Sequence, residues 1–254
     1  MPEQNPIWDC HCHTELAYCG SDINVADALN QAALKQLAGI CIVEHSPQLY
    51  CTAEEFWSAL HIKQPRCCVR NSERTTQFRQ LADSVRSDKI RVGFEVEIDD
   101  YGKLICFEED KLWADILLGA IHWLPHTRHE TGDQEFREKF IKTSGQLIDS
   151  GVHILAHPFR VFSSTDRPKP TELYTRLAKM LAKNNVAAEI NLHHRSQPDV
   201  NFIQECLSLG VKIALGSDAH SVEMVGNLQA NLELLQIAAG KKDVTEHLYI
   251  PPAN

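Results

Sequence analysis

Short runs of β-branched and apolar residues alternate with longer amphipathic stretches along almost the whole chain. The amphipathic stretches space their apolar residues three or four apart, as one face of a helix requires. Strands that alternate with crossover helices build a parallel sheet, and seven such units favour a closed or nearly closed barrel over an open sheet. The candidate strands are Ile7–His11, Gly39–His45, Ile90–Ile98, Ile116–Trp123, Val152–His157, Val186–Leu192 and Lys212–Ser217.

Six segments carry the helical spacing, and one further strand is predicted beside the third. The turn-forming sequence at 99–102 would join Tyr101–Phe107 to the third strand as a hairpin. The predicted helices are Val25–Leu37, Ser72–Val85, Phe136–Ser150, Leu173–Lys183, Val200–Leu209 and Glu223–Ala239.

The length of the chain fits one barrel. An α/β barrel commonly fills about 250 residues as a single domain, and this chain has 254 residues. No linker-like tract rich in Pro, Gly and Ser divides the sequence, so residues 1–254 are predicted to form one domain. Neither GxGxxG nor GxxxxGK[ST] follows the first strand, which leaves nucleotide-binding folds without support.

Composition bears on the compartment and the partners. The formal net charge of −9 argues against strong binding to nucleic acid backbones. No apolar run approaches the roughly 18–20 residues that span a bilayer, and the first residues lack the basic and apolar regions of a signal peptide. Nine cysteines without a CxxC pair are expected to be reduced thiols in the cytoplasm. No feature indicates a membrane partner or a particular oligomer.

Thirteen histidines stand out against this composition, and many lie where a predicted strand ends. His11 and His13 are two residues apart, so on a strand they project from one face and can chelate one metal. The carboxyl ends of parallel barrel strands share one face, where active sites lie. Imidazoles and carboxylates at these ends therefore predict a polynuclear metal site. Glu189 and Asn191 share a face of the sixth strand. The other imidazoles and carboxylates at or near the strand ends are those of His45, Glu95, His122, His157, Asp218 and His220.

Other residues near the presumed mouth of the barrel are candidates for substrate contact. Arg160 and Arg195 follow the fifth and sixth strands, and arginine can bind phosphate oxygens at two points. His193 follows the sixth strand and is a third candidate. His126 and His129, in the loop after the fourth strand, suit the surface as well as the mouth. His61, His153 and His247 are predicted to be solvent-exposed or to cap a neighbouring element, without a role in the site.

Seven short motifs mark the strand ends in a fixed order. They read DxHxH at 9–13, EHS at 44–46, GxE at 93–95, IH at 121–122, AHP at 156–158, EIN at 189–191 and GSDAH at 216–220. With these motifs the chain resembles the PHP (polymerase and histidinol phosphatase) family of metal-dependent phosphoesterases over nearly its whole length. The resemblance implies a distorted (β/α)7 TIM-like barrel that holds two or three divalent metals, usually Zn, Mn or Fe.

The resemblance also implies a ligand set with one departure. Many trinuclear members have a histidine six residues after HxH, where this chain has Cys19, and thiolate binds zinc well. Asp22 is another candidate ligand, and Glu97 lies on the strand face of Glu95, although GxE favours Glu95. The implied groups are His11, His13, Glu95 and Asp218 for one metal, Glu95, His122 and His157 for a second, and His45 and His220 for a third.

Phosphate ester hydrolysis explains why these residue types are needed. Two metals about 3.5–4 Å apart can lower the pKa of a bridging water and neutralise phosphoryl charge. Glu95 would set the spacing of the metals, Asp218 would bind metal and orient the nucleophile, and His220 would protonate the leaving alkoxide. Asp9 is predicted to orient a ligand imidazole. The expected substrate is a small phosphomonoester such as histidinol phosphate or a nucleotide.

Two alternatives fit parts of this pattern. The amidohydrolase superfamily also opens with HxH and ends with a strand-borne Asp, but its fourth strand usually ends in lysine, where this chain has His122. The carboxylate of the third strand and the final Asp-x-His motif also favour the phosphoesterase. The non-enzymatic alternative is a metal-binding barrel that has lost catalysis and acts as a binding module. Retention of all but one ligand argues against it.

Overall fold

Seven parallel strands form one sheet in which each strand pairs with the next along the chain. The computed structural model describes residues 6–124, 132–193 and 199–252. The register is regular from the second strand to the last. The strands are β1 (Trp8–Cys12), β2 (Gly39–His45), β3 (Ile90–Val96), β4 (Ile116–Gly119), β5 (Ile154–Leu155), β6 (Ala187–Asn191) and β7 (Ile213–Gly216).

The end of β1 meets the segment after β7, so the sheet curves into a nearly closed barrel. His13 N–H donates to the carbonyl oxygen of Ala219 at 3.1 Å, and Asp218 N–H donates to that of His11 at 2.9 Å. The Asp9 carboxylate adds bonds of 3.0 and 2.7 Å from the backbone N–H and the hydroxyl of Ser217. The predicted α/β barrel with seven parallel strands is confirmed.

Helices connect the strands, and several begin at residues whose side chains cap them. Asn24, Ser72 and Asp199 each accept a hydrogen bond from a backbone N–H three residues ahead, which satisfies a group that the helix leaves unpaired. The helices are α1 (Val25–Leu34), α2 (Ser46–Tyr50), α3 (Ala53–Trp57), α4 (Leu60–Lys63), α5 (Glu73–Val85), α6 (Glu108–Trp113), α7 (Asp133–Asp149), α8 (Arg160–Ser163), α9 (Tyr174–Asn184), α10 (Val200–Ser208) and α11 (Gln229–Ala239).

Two apolar clusters stabilise this arrangement. The larger one lies between the sheet and the helices and contains fully buried aromatic rings, among them Phe78, Phe94 and Phe159. The smaller cluster, which we call the interior cluster, is made mainly of strand residues and includes small side chains such as Cys41 and Ala214. Small side chains fit the narrow interior of a barrel of this size. The apolar interior of the barrel stops at the polar residues that lie at the carboxyl ends of the strands.

The largest differences from the predicted elements lie at Tyr101–Phe107, in β4 and β5 and at the start of the last helix, and five short helices, α2, α3, α4, α6 and α8, were not predicted. Tyr101–Phe107 does not form a strand, because the pairing consists of one antiparallel bridge between Ile98 and Leu104, and α6 follows it directly. Ladder pairing in β4 and β5 ends before the predicted limits, since the chain bends there to present site residues. The last helix starts at Gln229 because Gly226, with φ of +66°, breaks the helical path.

No helix in the part of the chain that the structure describes is long and apolar enough to cross a membrane.

Candidate metal centre

Strand alternation explains why the donor side chains face one another. Alternate residues of a strand point to the same face of the sheet. On β2, Val43 lies in the interior cluster and His45 follows two residues later. Along β4 and just beyond it, Leu118 and Ala120 lie in the same cluster and His122 follows them. The donors thus continue the apolar interior toward the carboxyl end of the barrel.

Irregular backbone adds donors that alternation alone would not deliver. Trp8 and Cys10 lie in the interior cluster, yet His11 also reaches the centre, because the pairing of β1 with β2 shifts register between positions 9 and 12. His157 and Asp218 have positive φ values of 26° and 51°. Such conformations cost on the order of 1–3 kcal/mol in a residue with a side chain and are concentrated at functional sites.

His11, His13 and Asp218 form the first group of donors. His13 Nε2 lies 3.1 Å from Asp218 Oδ1, and His11 Nε2 lies 3.6 Å from the same oxygen. The two imidazole nitrogens are 3.2 Å apart. All three side chains are buried, so they form a compact donor set of the kind predicted for one metal.

Glu95 lies at the middle of the centre. Its Oε1 atom is 2.8 Å from His157 Nε2 and 3.3 Å from His122 Nε2. Its Oε2 atom is 2.7 Å from His45 Nδ1 and 3.5 Å from His11 Nε2. The two oxygens therefore face different groups of imidazoles, as a carboxylate shared between two metals would.

Cys19 lies beside His45 and His220, the two donors predicted for a third metal. Its Sγ atom lies 3.4 Å from His45 Nε2 and 3.1 Å from His220 Nε2. Gln48 Nε2 donates to the same sulfur at 3.3 Å. Donor atoms of His13, His45 and His220 lie within 4.8 Å of one another. The Cys19 thiol thus lies beside the same imidazoles that the family resemblance would pair with a histidine at this position.

Several buried polar atoms in the centre face one another without forming hydrogen bonds. Glu95 Oε2 lies 2.7 Å from His45 Nδ1, and His122 Nε2 lies 3.3 Å from Glu95 Oε1. Neither atom is hydrogen-bonded to any residue that the structure describes. Buried polar atoms normally have partners. Lone pairs that converge on shared points suit a bound cation, and imidazole, carboxylate and thiol are the donors that zinc and related divalent ions take. The residues therefore fit metal ions.

Three carboxylates lie beside the ring nitrogens that face away from the centre. Glu189 Oε1 is hydrogen-bonded to His11 Nδ1 at 2.9 Å and Glu97 Oε1 to His122 Nδ1 at 3.0 Å, whereas Glu44 Oε1 lies 3.4 Å from His13 Nδ1 without a hydrogen bond. A carboxylate in this position fixes the imidazole tautomer and leaves the other nitrogen free to ligate. Sequence reasoning noted all three residues but gave none this role.

His61 contradicts its predicted solvent or capping role. The side chain is fully buried, and its Nε2 donates to Glu97 Oε2 at 2.9 Å. Its ring stacks on Phe56 with centroids 5.1 Å apart. Glu97 consequently bonds two imidazoles and connects the residues near α4 to His122. The alternative that Glu97 replaces Glu95 as ligand does not fit this arrangement.

Asp9 and Asp22 also differ from prediction. The Asp9 carboxylate accepts hydrogen bonds from Ser217 and from the Gly226 N–H at 2.7 Å, so it joins the two ends of the sheet and does not orient an imidazole. Asp22 is exposed and lies outside the donor groups found among the described residues. Cys19 is the residue of this segment that contacts the imidazoles.

The electrostatics of the centre favour a bound cation. Burial alone would raise the pKa of the Glu95 and Asp218 carboxyls, but the surrounding imidazoles hold both pKa values well below their usual range. Burial opposes the charged form of His13, yet its hydrogen bond to Asp218 and the nearby Glu44 carboxylate raise its pKa to about 9. The carboxylates are therefore ionised, and an incoming cation would displace protons from imidazoles such as His13.

A cavity of about 510 Å³ opens above these donors. Arg160, His193 and His220 line it, and the His193 ring stacks on that of His220 with centroids 5.2 Å apart. Apolar side chains form much of the remaining wall. Arg195, His126 and His129 lie outside the described residues.

Comparisons with known proteins agree with this geometry. A probable phosphatase of Caldicellulosiruptor bescii is 22% identical over 231 residues, which cover 89% of this chain and 85% of the relative. A probable phosphatase of Proteus mirabilis is 28% identical over 236 residues, with coverage of 89% and 84%. The crystal structure of histidinol phosphate phosphatase from Lactococcus lactis, complexed with zinc, L-histidinol and phosphate, superposes with a TM-score of 0.64 at 15% identity, covering 91% of this chain and 93% of that one.

The family model of the PHP domain matches residues 9–193, which is most of the chain. This region contains the first six motifs, from DxHxH to EIN, and the barrel strands that carry them. The match selects the predicted resemblance over the amidohydrolase alternative. The chain belongs to the PHP domain family.

Proposed function

We propose that this chain is a metal-dependent phosphoesterase that hydrolyses a small phosphomonoester, such as histidinol phosphate or a nucleotide. The observation that carries the proposal is the set of buried donors around Glu95 at the base of a cavity lined by Arg160. A phosphoesterase is the class of enzyme that the ordered motifs predicted, and membership of the PHP domain family bears it out. The phosphatase names of the relatives support the same class.

The proposed cofactors are two or three divalent ions, Zn, Mn or Fe. Glu95 would be shared between the group of His11, His13 and Asp218 and the group of His122 and His157. His45, His220 and Cys19 would hold the third ion. Such ions, when bound, would activate water at neutral pH and neutralise phosphoryl charge.

The protein's own side chains would position the ester and manage the proton. Arg160 lines the cavity, and its guanidinium is suited to two phosphate oxygens. Asp218 is held in place by Asn191, whose Nδ2 donates to Asp218 Oδ2 at 3.3 Å, so the carboxylate can orient the attacking oxygen. His193, whose ring lines the cavity and stacks on that of His220, would donate a proton to the leaving oxygen, because both ring nitrogens of His220 are already engaged, Nε2 toward the third ion and Nδ1 at the Asp218 carbonyl oxygen.

The cavity wall suits an organic group of limited size. Phe56, Trp57, Val161 and Met224 contribute apolar surface to the same cavity. Apolar walls with few polar groups are typical of small-molecule sites. A phosphomonoester would place its phosphate on the donors and its organic part against this wall. The Lactococcus lactis phosphatase, complexed with L-histidinol and phosphate, supports a substrate of this kind.

Metal-dependent hydrolysis of p-nitrophenyl phosphate tests the proposal. Protein stripped with a chelator and reloaded with Mn²⁺ or Zn²⁺ should hydrolyse this monoester faster than bis-p-nitrophenyl phosphate. His11→Ala and Asp218→Ala should each lower kcat/KM by at least about 10³-fold, because several kcal/mol of metal stabilisation is lost. His247→Ala, outside the centre, is the matched control and should retain activity.

Activity that survives both substitutions would refute the assigned centre. A metal-loaded protein that hydrolyses no member of a panel of phosphate esters would favour the non-enzymatic binding module. The panel should contain histidinol phosphate, nucleoside monophosphates and sugar phosphates, so that it also ranks the candidate substrates.

The proposed compartment is the cytoplasm. All nine cysteines are free thiols, and cysteines that stay unpaired are typical of a reducing compartment.

A further inference from the structure

Three cysteines converge outside the metal centre. Cys51 Sγ lies 3.5 Å from Cys67 Sγ and 3.3 Å from Cys68 Sγ. All three sulfurs lie within 4.8 Å of one another. Cys51 is buried, and Cys67 and Cys68 are half-buried. We call these three residues the thiol cluster.

Backbone hydrogen bonds fix the two segments that carry the sulfurs. Cys51 directly follows α2, and Cys67 ends the 3₁₀ turn Pro65–Cys67. The N–H of Val69 donates to the carbonyl oxygen of Tyr50 at 2.9 Å, which joins the residues flanking the two halves of the cluster. The sulfurs therefore meet through the fold itself and not through the chance rotation of one side chain.

The separations suit a shared metal better than a disulfide. Zinc–sulfur bonds of about 2.3 Å in tetrahedral geometry place sulfurs about 3.8 Å apart, close to the observed 3.3 and 3.5 Å. A disulfide requires about 2.05 Å and engages only two sulfurs. A cavity of about 110 Å³ beside Cys68 leaves room for a water as a fourth ligand.

We propose that the thiol cluster is a second metal site, separate from the catalytic centre, that binds one zinc ion or a similarly soft ion through three thiolates. Binding replaces the three S–H protons with three metal–sulfur bonds and releases those protons to solvent. Three sulfur donors select zinc or Cu(I) over the harder Mg²⁺ and Mn²⁺. The site is independent of the proposed reaction.

The position of the cluster gives the site a structural consequence. Cys51 and Cys67 bracket residues 52–66, a segment that contains α3 and α4 and carries Phe56 and Trp57 of the cavity wall. The same segment carries His61, which bonds Glu97 at 2.9 Å. A metal that joins the two ends of this segment closes it into a ring, as a disulfide would. The site would thus hold one wall of the catalytic cavity in place.

Cobalt binding tests the proposal, because thiolate ligands give Co²⁺ an intense near-ultraviolet charge-transfer band. The measurements use Cys19→Ala protein, purified under reductant and stripped of metal, so that the catalytic centre offers cobalt no sulfur. We expect the saturated band to have the amplitude of one thiolate-bound ion, in addition to any cobalt that the imidazoles and carboxylates of the catalytic centre bind. Cys67→Ser/Cys68→Ser in the same background should lower its amplitude at least tenfold and reduce bound metal by one equivalent.

Two further variants keep the test decisive. Cys206→Ala removes a buried thiol of α10 outside the cluster and should leave the band unchanged. Cys68→Ser alone, in case the double variant fails to fold, should weaken cobalt binding at least tenfold. Far-ultraviolet circular dichroism checks folding in each variant.

Absence of the band in Cys19→Ala protein would overturn the proposal, as would its survival in Cys67→Ser/Cys68→Ser. A protein lighter by two hydrogens, with Cys51 linked to Cys67 or Cys68 in a peptide map, would overturn it in favour of a redox pair. Phosphatase activity has no part in these outcomes, so they are distinguishable from failure of the proposed function.

Discussion

At the scale of single residues, the centre depends on carboxylates that lie behind the imidazoles as much as on the ligands. Glu97 is the clearest case, because it accepts hydrogen bonds from His122 at 3.0 Å and from His61 at 2.9 Å. Burial would raise its pKa, but the two imidazoles keep that pKa below its usual range. The carboxylate thus stays charged and holds the His122 ring with Nε2 toward Glu95.

Glu97→Gln should weaken metal binding or lower kcat/KM by about 10–100-fold. The amide has one acceptor oxygen and one donor group, so it cannot accept from both imidazoles as the carboxylate does. Metal titration of chelator-treated protein and steady-state kinetics measure the effect. Glu135→Gln, at an exposed carboxylate of α7, is the matched control and should change neither quantity. Unchanged metal affinity and kcat/KM in Glu97→Gln would contradict the positioning role.

Cys19→His should change the metal preference of the third donor group. The substitution restores the residue that the family pattern has at this position, and it exchanges a soft sulfur for an imidazole beside His45 and His220. Mn²⁺ prefers nitrogen and oxygen donors, so manganese content should rise by up to one equivalent. Elemental analysis after loading with equimolar Zn²⁺ and Mn²⁺ measures the change. A Zn:Mn ratio equal to that of the unsubstituted protein would show that Cys19 is no ligand.

The positions of the proposed ligands were predictable because each lies at or just after a strand end, but strand alternation gives the side-chain direction of only some of them. His45 and His122 follow from alternation alone. The supporting contacts were not predictable in this way. His61 reaches Glu97 from a different segment, 36 residues away, and no local pattern encodes that approach. Asp9 likewise bonds Ser217, 208 residues away, so its role depends on barrel closure.

At the scale of elements, close approach between β3 and β4 holds Glu95 in register. Gly93 pairs with Ile116, and a β-carbon at Gly93 would lie 1.8 Å from the Ile116 carbonyl oxygen. A side chain there would push the strands apart two residues before Glu95. Glycine at this position is therefore required by packing between the two backbones.

Gly93→Ala should lower the free energy of unfolding by about 1–3 kcal/mol, as overpacking in a core does. Urea denaturation followed by circular dichroism measures the loss. Gly145→Ala in α7 is the matched control, since only the terminal methyl of Met180 lies within 4 Å of the added carbon. Alanine is favoured over glycine inside a helix by roughly 0.5–1 kcal/mol, so the control should be neutral or stabilised. A Gly93→Ala protein as stable as Gly145→Ala would contradict the packing argument.

Strand positions were predicted more accurately than strand ends. β2 has the predicted bounds, Gly39–His45, because its apolar run and its paired length coincide. β5 pairs only over Ile154–Leu155, whereas the predicted strand is Val152–His157. The positive φ at His157 ends the strand geometry, and hydrophobic periodicity carries no information about such a turn. The hairpin at Tyr101–Phe107 failed because turn residues predict a reversal but not the length of pairing after it.

At the scale of the whole molecule, the barrel buries several carboxylates close together at the carboxyl ends of its strands. Glu44, Glu95, Glu97, Glu189 and Asp218 are all almost fully buried. Burial of like charges is costly unless opposite charge accompanies it. The seven-strand count predicted the barrel, but only closure brings these carboxylates together with the imidazoles. Metal binding and folding should therefore be linked.

Saturating Zn²⁺ or Mn²⁺ should raise the unfolding temperature of chelator-treated protein by about 5–15 °C. Ligand at 100–1,000 times Kd adds about 2.7–4.1 kcal/mol to the native state, and a chain of this size gains about 2–4 °C per kcal/mol. Thermal denaturation at several metal concentrations measures the shift. A His11→Ala/Asp218→Ala variant should lose at least half of it, because the shared donor set around Glu95 is broken. Cys67→Ser/Cys68→Ser should keep most of the Mn²⁺ shift, since manganese does not favour sulfur. A full shift in the first variant would place the stabilising metal elsewhere in the molecule.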